Sequence, residues 1–297
     1  MDFRIPVGDW IEAFVEFLLD NFTTLFDGIA TAIEWVVEGI EAGLQLLPGP
    51  LLALVVIVLA FWRVSTQFAI FSLFALLLLA GMDLWPETIT SLALILAATL
   101  VTLVIGIPIG IAAARNDTVE RLVRPALDFM QTMPPFVYLI PAAMFFGLGK
   151  VPGAIATIIF SMPPSVRLTS LGIRQVQKEL VEAGLAFGCT PRQLLFKVQI
   201  PNALPSIMAG VNQTIMLALS MVVIASMIGA GGLGNEVLRG IQRLDIGLGF
   251  EAGFGVVILA IILDRITQSF GRRQQLSLRE RLQAFFPWRG KTSVKDR

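Results

Sequence analysis

Seven stretches of this 297-residue chain are apolar for long enough to cross a lipid bilayer, near 46–62, 67–82, 88–114, 129–149, 151–166, 207–229 and 250–268. A helix needs about 20 mainly apolar residues to span the hydrocarbon layer, within a range of roughly 17–25. Inside that layer every backbone N–H and C=O must find its partner within the protein, and runs of this length satisfy that only as helices. The sequence therefore predicts an all-α, polytopic membrane protein with about seven transmembrane helices, the second and fifth being the shortest. Composition agrees: 56% of residues are hydrophobic and 15% charged, and the mean hydropathy is +0.79.

Charge then sets the orientation. The 22 basic and 22 acidic residues cancel in number but not in position. With the C-terminus inside, Arg63, residues 115–128, residues 167–206 and residues 264–297 hold 18 bases and 8 acids, leaving 4 bases and 14 acids on the other side. Cytoplasmic loops carry the excess of lysine and arginine, so the N-terminus is expected outside and the C-terminus in the cytoplasm of a cell with a plasma (inner) membrane. Residues 1–47 hold nine of the acids and one base, Arg4. Asp9, Glu12, Glu16 and Asp20 interrupt any apolar run there, so the segment does not read as a cleavable signal. Its apolar residues, among them Ile11, Phe14, Leu18, Phe22, Leu25, Ile29, Ile33, Val36 and Ile40, recur every three or four positions. That is helical periodicity. The segment predicts one or two acidic amphipathic helices, lying along the membrane or against the outer side of the protein as a scaffold, or else presenting a solvated acidic face.

Several function classes drop out. There is no histidine, and Cys189 is the single cysteine, so a His-based nucleophile, an internal disulfide and a zinc or iron–sulfur cluster are all excluded. The spans 88–114, 129–149 and 207–229 hold no Asp or Glu, whereas a proton-driven carrier buries such groups as a relay. Energy for uphill movement is then expected from a partner, a sodium-coupled carrier using backbone carbonyls being the less favoured alternative. Gly229, Gly231 and Gly234 fit GxGxxG, but they follow an apolar helix and not a strand, so they predict a tight turn at the outer end of the sixth span. Gly290-Lys291-Thr292 imitates the end of a phosphate loop, yet Phe285 stands where its first glycine belongs. Pro108, Pro134, Pro135, Pro141, Pro152, Pro163 and Pro164 interrupt or border the spans. Each removes a backbone donor, and broken helices persist at membrane depth only where packed in protein or lining a cavity. They read either as kinks in packed helices or as marks of a transport path.

Residues 167–206 form the longest polar stretch between spans. Its composition predicts a helix from about 178 to 188, a turn at Cys189-Thr190-Pro191, and a second helix ending before Pro201. Ala183, Gly184, Ala186 and Gly188 give the first helix a small-residue face that lets another surface approach closely. The order Glu182-Ala183-Gly184, three residues, Gly188, nine residues, Val198-Gln199-Ile200-Pro201 resembles the EAA loop of ABC importer permeases. Gly184, Val198 and Ile200 stand where that pattern has Ala, Ile and Leu. Further stretches, Asp128–Pro134, Ile173–Val176, Asn212–Met216 and Ile228–Gly234, are similar to the permease subunit of glycine betaine/proline-type importers. The likeness is close over residues 88–270 and looser before them.

This resemblance implies the ABC type I importer permease fold and four parts: an acidic extracytoplasmic helix (1–47), two peripheral helices (48–87), a core permease domain (88–270) and a basic cytoplasmic tail (271–297). It further implies a homodimer of permeases, two ATPase subunits that bind ATP and Mg, and a separate extracytoplasmic binding protein. The chain itself would be non-catalytic, binding no cofactor or metal, embedded in lipid, and without a nucleic-acid partner. Its cargo would be glycine betaine or a related osmolyte such as proline betaine, choline, carnitine or trimethylamine N-oxide. An amino-acid permease, for methionine for example, and a non-transporting membrane scaffold are the alternatives. Coupling to the ATPase would fall to Glu182, Ala183, Gly184, Gly188, Arg192, Lys197 and Pro201. Glu182 would cap or pair within the loop and Gly188 would permit the turn. Arg192 and Lys197 would meet acidic groups on the ATPase, or simply supply cytoplasmic charge. Met133, Tyr138, Asn212, Gln213, Met216 and Ser220 are the candidates for lining the substrate path, each against the alternative of core packing. Asn212 and Gln213 lead, because an uncharged polar group in a span needs a partner.

Overall fold

The computed structural model describes residues 6–271, and its regular structure there is entirely helical. The order is α1 (Val7–Gln45), α2 (Gly49–Arg63), α3 (Thr66–Gly81), α4 (Trp85–Arg115), α5 (Asp117–Thr132), α6 (Pro135–Phe146), α7 (Lys150–Arg174), α8 (Lys178–Ala186), α9 (Pro191–Leu194), a π-helical turn (Leu195–Gln199), α10 (Ile200–Ser226), α11 (Leu233–Arg243) and α12 (Ile246–Gly271). The basic tail expected over 271–297 lies, after Gly271, outside the described residues.

The sequence expectation of seven crossings is modified. Four stretches, α4, α7, Pro191–Ser226 and α12, are long and apolar enough alone, and the number reaches six if α1–α2 and α5–α6 each form one bent span. The bends are 98° and 102°, and α3, at 16 residues, falls short of the crossing length. Proline is the reason at the second bend: Pro134-Pro135 withdraws two consecutive backbone donors from the apolar run 129–149. The chain turns there, and α5 becomes an amphipathic helix set across the axis of α6. The fifth run, short in sequence, extends to the full Lys150–Arg174 because buried Ser and Thr continue the helix beyond its apolar part.

Helix α7 occupies the centre, with α4 and α10 on either side. Contact is close because glycines stand where side chains would collide. A Cβ on Gly106 would lie 2.1 Å from Ser165 Oγ, and one on Gly110 would lie 2.7 Å from the Val166 carbonyl oxygen. On the other flank a Cβ on Gly172 would lie 2.7 Å from that of Ser206. Hydroxyls complete the seam: Thr102 and Ser161 are hydrogen-bonded at 3.3 Å, and Thr214 Oγ1 donates to the Ser161 carbonyl at 3.2 Å, just before Pro163 and Pro164, which lie inside α7. Small-xxx-small spacing with polar cross-links is how membrane helices associate where lipid removes the hydrophobic drive between them. Helix α12 packs Ala252 and Leu259 against Leu219, Val222 and Leu233, and α3 packs Leu76 and Leu79 against Ile258 and Ile262 of α12.

The acidic amphipathic segment is the single helix α1, broken at Phe22 (φ −124°, ψ 19°). Its second half lies on the protein. Ile33 and Val37 join Leu94, Ala97, Ala98, Ala154 and Ile158, while Phe26 stacks on Phe145 with ring centroids 4.4 Å apart. Glu41, buried, accepts from Lys150 Nζ at 2.5 Å and from Thr90 Oγ1 at 2.9 Å, fixing α1 to the first turns of α4 and α7. The other acids of α1, from Asp9 to Glu38, are exposed. The glycines at 229–234 do make a tight turn: Gly229, Gly231 and Gly232 have positive φ, and the Ile228 carbonyl accepts from Gly149 N at 2.8 Å. Replacing Gly110 by isoleucine is expected to abolish the monodisperse detergent-solubilised protein in size-exclusion chromatography. Gly39→Ala, where a Cβ meets nothing within 4 Å, is expected to hold or raise the melting temperature, alanine being favoured over glycine inside a helix by up to about 1 kcal/mol.

Candidate functional site

The polar stretch 167–206 folds into a compact capped hook. Helix α8 ends at Ala186. Gly188, with φ 76°, takes the left-handed conformation that only glycine enters without strain, and Cys189 N returns to the Gly184 carbonyl at 3.0 Å. Thr190 opens the next helix through a reciprocal capping box, its Oγ1 accepting from Gln193 N at 3.3 Å while its own N donates to Gln193 Oε1 at 2.9 Å. Pro191 then fills the first helical position, where its missing N–H costs nothing. The second helix does not end before Pro201, as its sequence suggests. It passes through the π-helical turn Leu195–Gln199 straight into α10, because the wider turn brings Pro201 into the first turn of α10, where a donor is not required.

The expected coupling residues divide by orientation. Gly184 is buried, a Cβ there meeting Leu194 Cδ1 at 2.8 Å, so it closes α8 onto α9. Glu182, Ala183, Gly188, Arg192, Lys197 and Pro201 are exposed. Glu182 makes no hydrogen bond or ion pair among the described residues, contrary to the capping or pairing role expected of it; Thr190 does the capping instead. Arg192 and Lys197 likewise carry no ion pair among the described residues. The structure adds an apolar face that the motif did not single out: Phe187, 90% exposed, together with Leu185 and Phe196. A phenylalanine at a helix end with no apolar neighbour at helical spacing was the available signal. Behind the hook, Leu195 packs with Ile173, Ala203 and Ile207, and Arg174 ties the end of α7 to Asp117 and Glu120, both at 2.8 Å.

The candidates for the substrate path fall in two places. Gln213, Met216 and Ser220 share an exposed face of α10, and Ser220 Oγ donates back to the Met216 carbonyl at 2.9 Å. Asn212 lies beside them, half-buried, with its Nδ2 donating to Asp264 Oδ1 of α12 at 2.8 Å. Met133 and Tyr138 sit elsewhere, in the cluster of Leu139, Ala142, Ala156 and Met221. Tyr138 is buried and its hydroxyl donates to the Met130 carbonyl across the α5–α6 break, so in this protomer it locks the bend and does not line an opening. Asp264, not among the residues singled out from sequence, is the acid that one path candidate, Asn212, touches. Among the described residues no group of three or more His, Cys, Asp or Glu could hold a metal.

A bundle closed by small residues, with a capped hook continuous with one candidate membrane span, is the architecture of a membrane permease. The chain belongs to the family described as binding-protein-dependent transport system inner membrane component, which residues 106–276 match. It is 49% identical over 269 residues to the glycine betaine/proline betaine transport system permease protein ProW of Escherichia coli K12, covering 90% of this chain and 76% of that one. It is 50% identical over 266 residues to the glycine betaine transport system permease protein OpuAB of Bacillus subtilis 168, covering 90% and 94%. The trimethylamine N-oxide transport system permease protein TmoV of Pelagibacter ubique is 33% identical, with this chain covering 38% of its length. Among solved structures, the MetNI methionine ABC transporter in an inward-facing conformation matches 61% of this chain and 89% of its own with a TM-score of 0.53 at 22% identity, a likeness of fold. The architecture is that of a type I importer permease. Thr190→Val, which removes the cap, is expected to speed hydrogen exchange of the Gln193 amide by about fivefold, the equivalent of about 1 kcal/mol of capping, with α4 and α7 unaffected.

Proposed function

We propose that this chain is the membrane-spanning permease of an ATP-driven importer of glycine betaine or a related quaternary ammonium or zwitterionic osmolyte. The observation that carries the reading is identity near 50% over nine-tenths of the chain to permeases named for glycine betaine and proline betaine transport. In this reading two copies pair in the plasma (inner) membrane, N-terminus outside and basic tail in the cytoplasm. Two ATPase subunits bind ATP and Mg, and a separate extracytoplasmic protein delivers the cargo.

The hook supplies the coupling. Phe187 and Leu185 are exposed apolar residues of the hook, which also exposes the cations Arg192 and Lys197, without ion pairs among the described residues, a composition suited to an ATPase groove with an apolar floor and acidic rim. Closure of the ATPases on ATP draws the two hooks together, and the permeases switch from inward-facing to outward-facing to take cargo from the binding protein. Asn212, Gln213, Met216 and Ser220 on α10 give the cargo a weakly binding polar track, and selectivity rests mainly with the binding protein. The acids of α1 face outward, away from the anionic cytoplasmic leaflet.

Vesicles containing the permease, its ATPase and its binding protein are expected to take up labelled glycine betaine only with ATP, and competition by choline, proline, carnitine and trimethylamine N-oxide ranks the substrates. An assembled complex that hydrolyses ATP without any such uptake overturns the substrate class. Phe187→Ser is expected to weaken co-purification of the ATPase by about tenfold or more, as truncation of a central aromatic anchor does, while the permease itself melts as before. Undiminished co-purification removes Phe187 from the docking surface.

A further inference from the structure

Asp264 is a carboxylate inside a candidate membrane span, about 10 Å of helix before the end of α12. Ionisable groups within candidate spans are rare and mark pathways or partners. Its Oδ1 accepts from two amides, Asn212 Nδ2 and Gln268 Nε2, each at 2.8 Å. No hydrogen bond reaches its Oδ2 and no cation pairs with it among the described residues. Arg265, its neighbour in sequence, is exposed and unpaired. The two amides that screen it form part of the wall of an open cavity of about 320 Å³, lined by Pro205, Met208, Ala209, Asn212, Gln213, Gln268 and Gly271.

We propose that this cavity is a transit site for the onium group of the cargo and that Asp264 is its counter-charge, an inference that rests on the quaternary ammonium reading above. A trimethylammonium has no N–H to donate. It is therefore held by charge and by contact with its methyl groups, and a carboxylate one layer behind the cavity wall attracts it without touching it. The cavity has that form. Met208, Ala209 and Pro205 meet the methyl groups, and Asp264 stands behind Asn212 and Gln268. The two amides have turned their N–H groups toward the carboxylate, leaving Asn212 Oδ1 without a partner. Gln213, exposed and without a side-chain hydrogen bond among the described residues, offers its amide to the carboxylate end of a zwitterion.

The test uses the complex of permease and ATPase in lipid nanodiscs without binding protein, with tetramethylammonium as probe in saturation-transfer NMR and tert-butanol as its uncharged counterpart. Wild type is expected to bind tetramethylammonium in competition with glycine betaine. Asp264→Asn, which keeps an oxygen for both amides and loses only the charge, is expected to reduce that signal at least fivefold, with tert-butanol unchanged and the melting temperature retained. Asp264→Glu is expected to restore it. Equal tetramethylammonium signal in Asp264→Asn and wild type overturns the proposal. Should Asp264→Asn fail to assemble, Gln213→Leu decides: competition by glycine betaine weakens while tetramethylammonium binding persists, and unchanged competition overturns the site. ATP-dependent uptake by the wild-type complex with its binding protein tests the substrate class separately, so a complex that transports betaine yet shows no charge-dependent probe binding counts against this site alone.

Discussion

Everything in this fold hangs on how closely α4 and α10 approach α7. In lipid, apolar side chains give no preference for a helix neighbour over an acyl chain, so association depends on van der Waals contact between backbones and on the few polar bonds such contact permits. Gly106, Gly110 and Gly172 remove the atoms that would hold the helices apart. Only at that separation can Thr102 meet Ser161 and Thr214 reach the Ser161 carbonyl. The peripheral helices α2, α3 and α12 pack mainly by larger aliphatic residues onto the unit thus formed, and α1 lies over one end of it.

The sequence made the class of fold legible because bilayer thickness imposes a length on every apolar run, and the coupling hook was legible because caps and turns depend on local residue chemistry. Thr190, Pro191 and Gly188 could be read in place for that reason. The breaks were harder. Residues 129–149 look like one span by hydropathy, and only the Pro134–Pro135 pair hints at the turn near a right angle that separates α5 from α6. Pro201 misled in the opposite direction, since a proline after a helical run reads as a terminator unless a π-helical turn resets the hydrogen-bond register.

The path residues were partly legible. Gln213, Met216 and Ser220 share a face at helical spacing, and their exposure on α10 follows from that arithmetic. Tyr138 shows where such reasoning fails: a tyrosine in a span can satisfy its hydroxyl on a carbonyl orphaned at a nearby break, as it does at Met130. Asp264 lies 52 positions from Asn212, a pairing that tertiary packing alone creates.

The continuity of Pro191–Ser226 has a mechanical meaning. At about 1.5 Å per residue, these 36 residues form a rod some 54 Å long, containing the π-helical turn and, inside α10, Pro205. One end carries the hook, and the other ends in the glycine turn whose Ile228 carbonyl is bonded to Gly149 at the head of α7. In the proposed coupling, a tilt imposed at the hook would be felt at both faces through this one continuous helix.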